Sequence, residues 1–262
     1  MRLFTDQLGR VLELGNDPPK RIVSLLPSQT ELLAYLGLND EVVGITKFCV
    51  EPVDWYRRKV RVGGTKDVKI EEVIALQPDL IIANKEENEK GTLEILMQFA
   101  PVYISDVRNL DAALEMIASL GEITGRKQAA DALVEAIAHA FGQLPAFFEG
   151  KKILYCIWRN PWMFAGPDTF IGHLLERLGA QNLAAGFTGR YPEIDLTQGF
   201  LHQADCILLS SEPFPFGDKH ITELREAGIE AEIKLVDGAC FSWYGSRLLS
   251  SAVYLKHLGK TF

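Results

Sequence analysis

Few residues of this 262-residue chain are spaced for catalysis, and many suit holding something large and flat. Alternating apolar strands and helices leave six polar segments at strand ends: Pro27–Thr30, Lys47–Trp55, Asn84–Lys90, Trp158–Met163, Glu212–Phe216 and Gly238–Arg247. In open α/β sheets, ligands sit beyond the carboxyl ends of the strands. These segments carry Phe48, Trp55, Trp158, Trp162, Phe214, Phe216, Phe241, Trp243 and Tyr244, and hold all four tryptophans of the chain. Aromatic rings on loops usually bury against something, so together they offer an apolar floor for a large ligand. Arg159 and Arg247 lie among them and suit ligand carboxylates or stacking on rings. Ser242 and Tyr191 add hydrogen-bonding hydroxyls.

Reactive patterns are sparse. The five histidines, His139, His173, His202, His220 and His257, form no H-x-H or i, i+4 pair. Cys49, in Phe48-Cys49-Val50-Glu51-Pro52, puts a thiol on a loop two residues from a carboxylate and is the candidate for metal or axial ligation. Cys156 and Cys206 lie within apolar strands and read as inert, buried thiols. The phosphate-cradling G-x-x-x-x-G-K-[ST], the dinucleotide G-x-G-x-x-G and the G-x-S-x-G elbow are absent from the sequence.

A formal net charge of −8 argues against nucleic acid or an anionic membrane as partner and suits a basic protein surface. No apolar run is long enough to span a bilayer. Met1–Gly15 carries Asp6, Arg10 and Glu13 and lacks the apolar core of a signal peptide.

The elements that must position these residues follow from periodicity. Met1–Lys20 reads as a short lead-in, followed by strands over Arg21–Leu26, Val42–Ile45, Leu80–Ala83 and Val102–Ser105. Ser28 and Glu31 fit a capping box opening a helix that Gly37 stops. Ile70–Leu76, Asn109–Leu120 and Gln128–Leu144 read as helices, with Gly121 and Gly125 as breaks. The last of these would extend about 25 Å. Then come strands over Lys152–Trp158, Asp205–Ser210 and Ile233–Asp237, a helix Phe170–Leu178 capped by Asp168, and a closing helix Leu248–Leu258. Strands alternating with helices imply parallel, doubly wound sheets.

The second half repeats the first. Glu31-Leu32-Leu33-Ala34-Tyr35-Leu36-Gly37 is echoed by His173-Leu174-Leu175-Glu176-Arg177-Leu178-Gly179, and Gln77-Pro78-Asp79-Leu80-Ile81-Ile82 by Gln203-Ala204-Asp205-Cys206-Ile207-Leu208. Two similar α/β lobes follow: an N-terminal lobe over 1–108, a helical connection over 109–150 and a C-terminal lobe over 151–262. A cleft between such lobes is where a small ligand is expected.

Arg21-Ile22-Val23-Ser24-Leu25-Leu26-Pro27-Ser28-Gln29-Thr30-Glu31, Val62-Gly63-Gly64 and Ile74-Ala75-Leu76-Gln77-Pro78-Asp79-Leu80-Ile81-Ile82 resemble the iron-complex and vitamin B12 binding proteins of ABC importers. The resemblance implies a class III periplasmic-binding-protein-like fold, two lobes joined by one backbone helix. It implies a monomeric receptor that has no intrinsic cofactor and hands an intact metal chelate to a permease. The chelate expected first is cobalamin or a related corrinoid, with ferric siderophore or haem next. The resemblance also implies one carboxylate per lobe docking onto permease arginines. The repeat carries Glu86 onto Glu212, with Glu87 and Glu89 as alternates. It places the protein in the periplasm or at the cell surface, while the missing leader pattern leaves the cytoplasm open. The rival readings are a cytoplasmic metal-complex sensor and a chelatase-like enzyme on the same architecture.

Overall fold

A computed structural model describes residues 1–195 and 199–262. The chain divides into two compact units. Unit 1 comprises Met1–Val107, Asp111–Ala138 and Trp243–Leu248; unit 2 comprises Arg108–Leu110, His139–Ser242 and Leu249–Phe262.

Unit 1 begins with an antiparallel hairpin, β1 (Arg2–Thr5) and β2 (Val11–Leu14), where the sequence suggested only a lead-in. There follow β3 (Ile22–Ser24), α1 (Pro27–Tyr35), β4 (Val42–Ile45), α2 (Val53–Arg58), β5 (Val60–Arg61), α3 (Ile70–Ala75), β6 (Leu80–Asn84), α4 (Lys90–Leu96) and β7 (Val102–Ser105). The helices α5 (Leu110–Ile123) and α6 (Lys127–Gly142) come next; the residues of α6 are divided between the two units. The sheet order is β5-β4-β3-β6-β7, and every pairing is parallel. Every residue of β6 is buried, as expected of a strand covered on both faces.

The hairpin has a specific task. Asp6 is buried, and its carboxylate accepts from the backbone N–H of Leu8 (2.9 Å) and Arg10 (3.0 Å), from Arg10 Nε (2.9 Å) and from the N–H of Ile104 on β7 (3.2 Å). Arg10 Nη2 donates to the carbonyl of Val102 (2.8 Å), and Gln7 Oε1 accepts from the N–H of Asp106 (3.1 Å). The hairpin turn therefore occupies the carbonyl of Val102 and the N–H of Ile104 on the outer side of the edge strand β7, and the N–H of Asp106 just beyond it.

Unit 2 holds β8 (Lys152–Trp158), β9 (Met163–Phe164), α7 (Phe170–Arg177), β10 (Gln181–Asn182), β11 (Cys206–Ser210), α8 (Asp218–Glu226), β12 (Glu232–Val236) and α9 (Ala239–Ser242). The closing helix α10 (Arg247–Leu258) is divided between the units. The order is β10-β8-β11-β12, all parallel, with β9 turned back antiparallel on β8.

The repeat seen in the sequence has a physical basis. Asp79 accepts from the N–H groups of Lys20 and Arg21, both at 2.8 Å, and Asp205 accepts from the N–H of Lys152 at 2.7 Å. Each aspartate thus ties the start of its strand, β6 or β11, to the start of the neighbouring β3 or β8. Gly37 and Gly179 take positive φ (77° and 88°), and the next N–H bonds five residues back, Leu38 to Leu33 and Ala180 to Leu175. Both helices therefore end in the same left-handed cap.

Three local expectations need correcting. Helix α1 starts at Pro27, where a ring with fixed φ and no N–H suits the first turn, so Ser28 lies inside the helix and Glu31 makes no capping box. Thr169, rather than Asp168, caps α7, accepting from the N–H of Gly172 at 2.9 Å; Asp168 pairs instead with Arg108. Gly121 does not break α5. It lies where a Cβ would come 2.2 Å from that of Ala130, so it lets α5 and α6 approach closely.

Candidate functional site

Four of the loop aromatics predicted from the sequence meet in unit 2. Strand β8 ends at Trp158 and turns back into β9, so Arg159–Trp162 forms the tip of a tight connection. The loop after β11 brings in Phe214 and Phe216. Trp162 stacks on Phe216 (centroids 5.7 Å, planes 19° apart), Phe216 touches Phe214 (4.7 Å), and Phe214 meets the edge of Trp158 (5.6 Å). The series runs from core to solvent: Trp162 and Phe216 are each 8% exposed, Phe214 is half-buried and Trp158 is 39% exposed. Trp158 is therefore the face of this cluster that a ligand can cover, while Trp162 and Phe216 belong to the hydrophobic core.

His220, on α8, lies against Phe214 and Phe216 (5.2 and 5.1 Å), and its Nδ1 accepts from the N–H of Gly217 (3.0 Å). Burial, with a smaller contribution from Lys219, lowers its pKa and favours the neutral ring. Arg159 makes a two-pronged contact with Glu223 of α8, Nε to Oε2 at 2.6 Å and Nη2 to Oε1, and lies 5.6 Å over Trp162.

Unit 1 repeats this last arrangement with different residues. Arg247 meets Glu31 of α1 through Nε to Oε2 (3.0 Å) and Nη2 to Oε1 (2.8 Å), and lies 5.0 Å over Trp243. Burial raises the pKa of Glu31, and Arg247 pulls it back only in part. Phe48, after β4, is 50% exposed, with Lys47 5.1 Å over its ring. The Val62-Gly63-Gly64 motif gives it room: a Cβ on Gly64 would come 3.0 Å from the Phe48 ring and 2.0 Å from Asp67.

Several of the residues singled out in the sequence are more enclosed than their loop positions suggest. Cys49 is fully buried, with Sγ 3.1 Å from the hydroxyls of both Thr30 and Thr46, and burial pushes its thiol pKa up. A neutral, enclosed thiol is a poor metal ligand. Among the described residues no group of three or more His, Cys, Asp or Glu is placed to hold a metal ion. Trp55, on α2, is buried and donates its indole N–H to Asn39 (2.9 Å). Phe241 is buried against Tyr155 (4.9 Å). These two rings build the units rather than line a surface. Tyr191 and Tyr244 are half-buried, and Ser242 points its hydroxyl at the carbonyl of Gly238 (2.9 Å) and at Glu212 Oε1 (3.1 Å).

Glu86 and Glu212 occupy matching places. The last residue of β6, Asn84, accepts through Oδ1 from the N–H of Glu86 (2.9 Å) and Glu87 (3.0 Å). The last residue of β11, Ser210, accepts through Oγ from the N–H of Glu212 (3.3 Å). A polar side chain at the strand end thus shapes each loop in the same way.

Sequence reading missed Glu223, Glu31 and His220 as members of these clusters. The partners of Arg159 and Arg247 stand 64 and 216 residues away along the chain, where no local pattern reaches.

A family model described as periplasmic binding protein matches residues 22–230. An uncharacterized ABC transporter substrate-binding lipoprotein of Bacillus subtilis is 31% identical over 183 residues, which is 65% of this chain and 57% of that protein. A vitamin B12-binding protein of Vibrio parahaemolyticus is 27% identical over 208 residues, 76% of this chain and 74% of that one. The chain thus spans little more than half the length of the first relative and about three-quarters of the second. The crystal structure of a periplasmic vitamin B12 binding protein of Vibrio cholerae superposes with a TM-score of 0.78 at 22% identity, covering 93% of this chain and 98% of that one. The fold is that of the class III periplasmic binding proteins.

Proposed function

Since the chain belongs to the periplasmic binding protein family, we propose that it is a non-enzymatic receptor for an intact metal chelate, cobalamin or a related corrinoid first, which it delivers to an ABC permease. The observation that carries this reading is the graded aromatic series ending in the exposed face of Trp158. Such a surface suits a broad, partly apolar macrocycle, whose contacts come from area rather than from a reactive group. The exposed Phe48 ring of unit 1 supports it. Trp243, Tyr191, Tyr244 and Ser242 are the polar and aromatic groups that would orient the ligand. Cys49, Trp55 and Phe241 have no part in it, because their side chains are enclosed. A receptor of this class needs no cofactor of its own and acts as a monomer in the periplasm or at the cell surface. No helix among the described residues is long and apolar enough to cross a membrane.

The relatives' names support this ligand class: two of the three described above are vitamin B12-binding proteins. Glu86 and Glu212 serve as the paired docking carboxylates, one per unit. Their equivalent loops and the chain's negative charge suit a basic, two-fold symmetric partner.

Calorimetric titration with cyanocobalamin, hemin and a ferric siderophore tests the reading. Saturable one-to-one binding of cyanocobalamin is expected, and absence of binding by all three refutes it. For docking, the Glu86→Arg/Glu212→Arg protein should fail to bind vesicles carrying its permease while keeping its chelate affinity. Docking that survives both reversals removes these acids from the role.

A further inference from the structure

Helix α8 reaches both loops of the unit 2 aromatic series. Its His220 and Glu223 stand three residues apart, so their side chains share one side of the helix. The His220 ring lies nearly perpendicular to Phe214 and Phe216 (5.2 and 5.1 Å), and its Nδ1 accepts from the N–H of Gly217 (3.0 Å), which fixes the ring. Glu223 receives Arg159 through Nε (2.6 Å) and Nη2. One turn of α8 thus supports Phe214 with one side chain and the tip that follows Trp158 with the other.

The tip needs such a hold. Within Arg159–Trp162, Asn160 (φ 68°) and Pro161 are exposed, while Trp162 is buried on Phe216 and anchors the β9 side. On the β8 side Trp158 is largely open, and its ring meets Phe214 edge-on across 5.6 Å. One edge contact is weak beside the burial that fixes Trp162. Arg159, next in the chain, supplies a second anchor. Its fork to Glu223 fixes direction as well as distance, because two nitrogens engage two oxygens. The guanidinium also lies 5.6 Å over the Trp162 ring, so the ion pair and the buried indole hold the tip from both ends. Side-chain exposure of 26% for Arg159 and 31% for Glu223 shelters the pair in part from salt.

We infer that Glu223 is a positioning residue for the ligand surface of unit 2: it holds Arg159 and, through the tip, sets the pose of Trp158 against Phe214. The inference rests on the proposed chelate-receptor reading and adds to it a residue that works one contact behind the surface. Its effect is preorganisation. A ring already held in its bound pose gives up less freedom when a ligand covers it.

A double-mutant cycle on the full chain tests it, read by calorimetry with cyanocobalamin. Glu223→Ala should weaken binding about tenfold, and by less than about twofold when Trp158 is already Ala, since the residue acts through that ring. An unchanged affinity in Glu223→Ala overturns the inference and leaves the chelate reading intact. So does a loss of the same size with and without the Trp158 ring. Fluorine NMR of ligand-free protein grown with fluorotryptophan gives a second readout. The Trp158 line, recognised by its absence from Trp158→Ala, should move in Glu223→Ala, while the lines of Trp55 and Trp243, both in unit 1, stay in place. A Trp158 line that does not move overturns the inference. If cyanocobalamin, hemin and a ferric siderophore all fail to bind, the chelate reading falls, and the fluorine spectra alone decide whether Glu223 sets the ring. If Glu223→Ala does not fold, Glu223→Gln, which keeps one acceptor and loses the charge, carries both measurements with a smaller loss of the same kind.

Discussion

Replacing Trp158 by Ala should weaken corrinoid binding without weakening the fold, and Trp162→Ala should do the opposite. Trp158 is 39% exposed. An indole side chain of roughly 250 Å² then leaves about 100 Å² of free surface. If a ligand covers that surface, about 25 cal/mol per Å² gives about 2.5 kcal/mol, or roughly 60-fold in Kd. Trp162 is 8% exposed, so the same reasoning leaves it about 20 Å² and about 0.5 kcal/mol, near twofold in Kd. Its deletion instead opens a hole in the unit 2 core beside Phe216, at a cost of about 3–5 kcal/mol in stability. Calorimetry with cyanocobalamin gives the affinities, and urea unfolding followed by circular dichroism gives the stabilities. The reasoning is refuted if Trp158→Ala keeps full affinity while folded, or if both variants lose affinity equally.

Asp6→Ala should cost about 3 kcal/mol or more in urea unfolding, because the N–H groups of Leu8, Arg10 and Ile104 lose a buried acceptor; a loss below about 1 kcal/mol would refute the edge-capping role. Gly121→Ala should destabilise by about 1–3 kcal/mol despite alanine's higher helix propensity, and adding Ala130→Gly should recover most of it, since the two positions collide. A stabilised Gly121→Ala protein would contradict the close approach of α5 and α6. His220 has a folded pKa below its unfolded value near 6.5, so its contribution to stability is intact above that pH and lost as pH falls through it. The stability difference between pH 7.5 and 5.5 should therefore shrink in His220→Gln, and an unchanged difference would show that other groups set the pH dependence.

The parallel strand–helix order was legible because it rests on local signals: short apolar runs, glycine stops and an aspartate before β6 and β11. The repeat was legible for the same reason, since Asp79 and Asp205 make equivalent bonds with neighbours fixed by strand order. The aromatic loops could be picked out by residue type, but not the depth of each ring. Trp55 and Trp158 look alike in sequence, and only the distant Asn39 contact and the packing of unit 1 separate the buried one from the exposed one. The same holds for Cys49: its loop position could be read from the sequence, but not that Thr30 and Thr46 enclose the sulfur. The hairpin was missed because its strands are four residues each and leave Leu3 and Val11 exposed, so no apolar run marks it. Its trace in the sequence is the Asp6–Gly9 turn, where Gly9 takes φ 76°.

That hairpin has a consequence for how copies of the protein behave together. A parallel sheet ending in a bare strand invites another chain's strand to continue it, and such growth has no natural stopping point. The turn at Asp6, Gln7 and Arg10 occupies the sites on β7 through which growth would start, using side chains that cannot themselves be extended. These residues of the hairpin turn therefore cover this edge of the sheet against addition of another strand. Their loss would show first as concentration-dependent fibrils or precipitates, before any change in what a single molecule can bind.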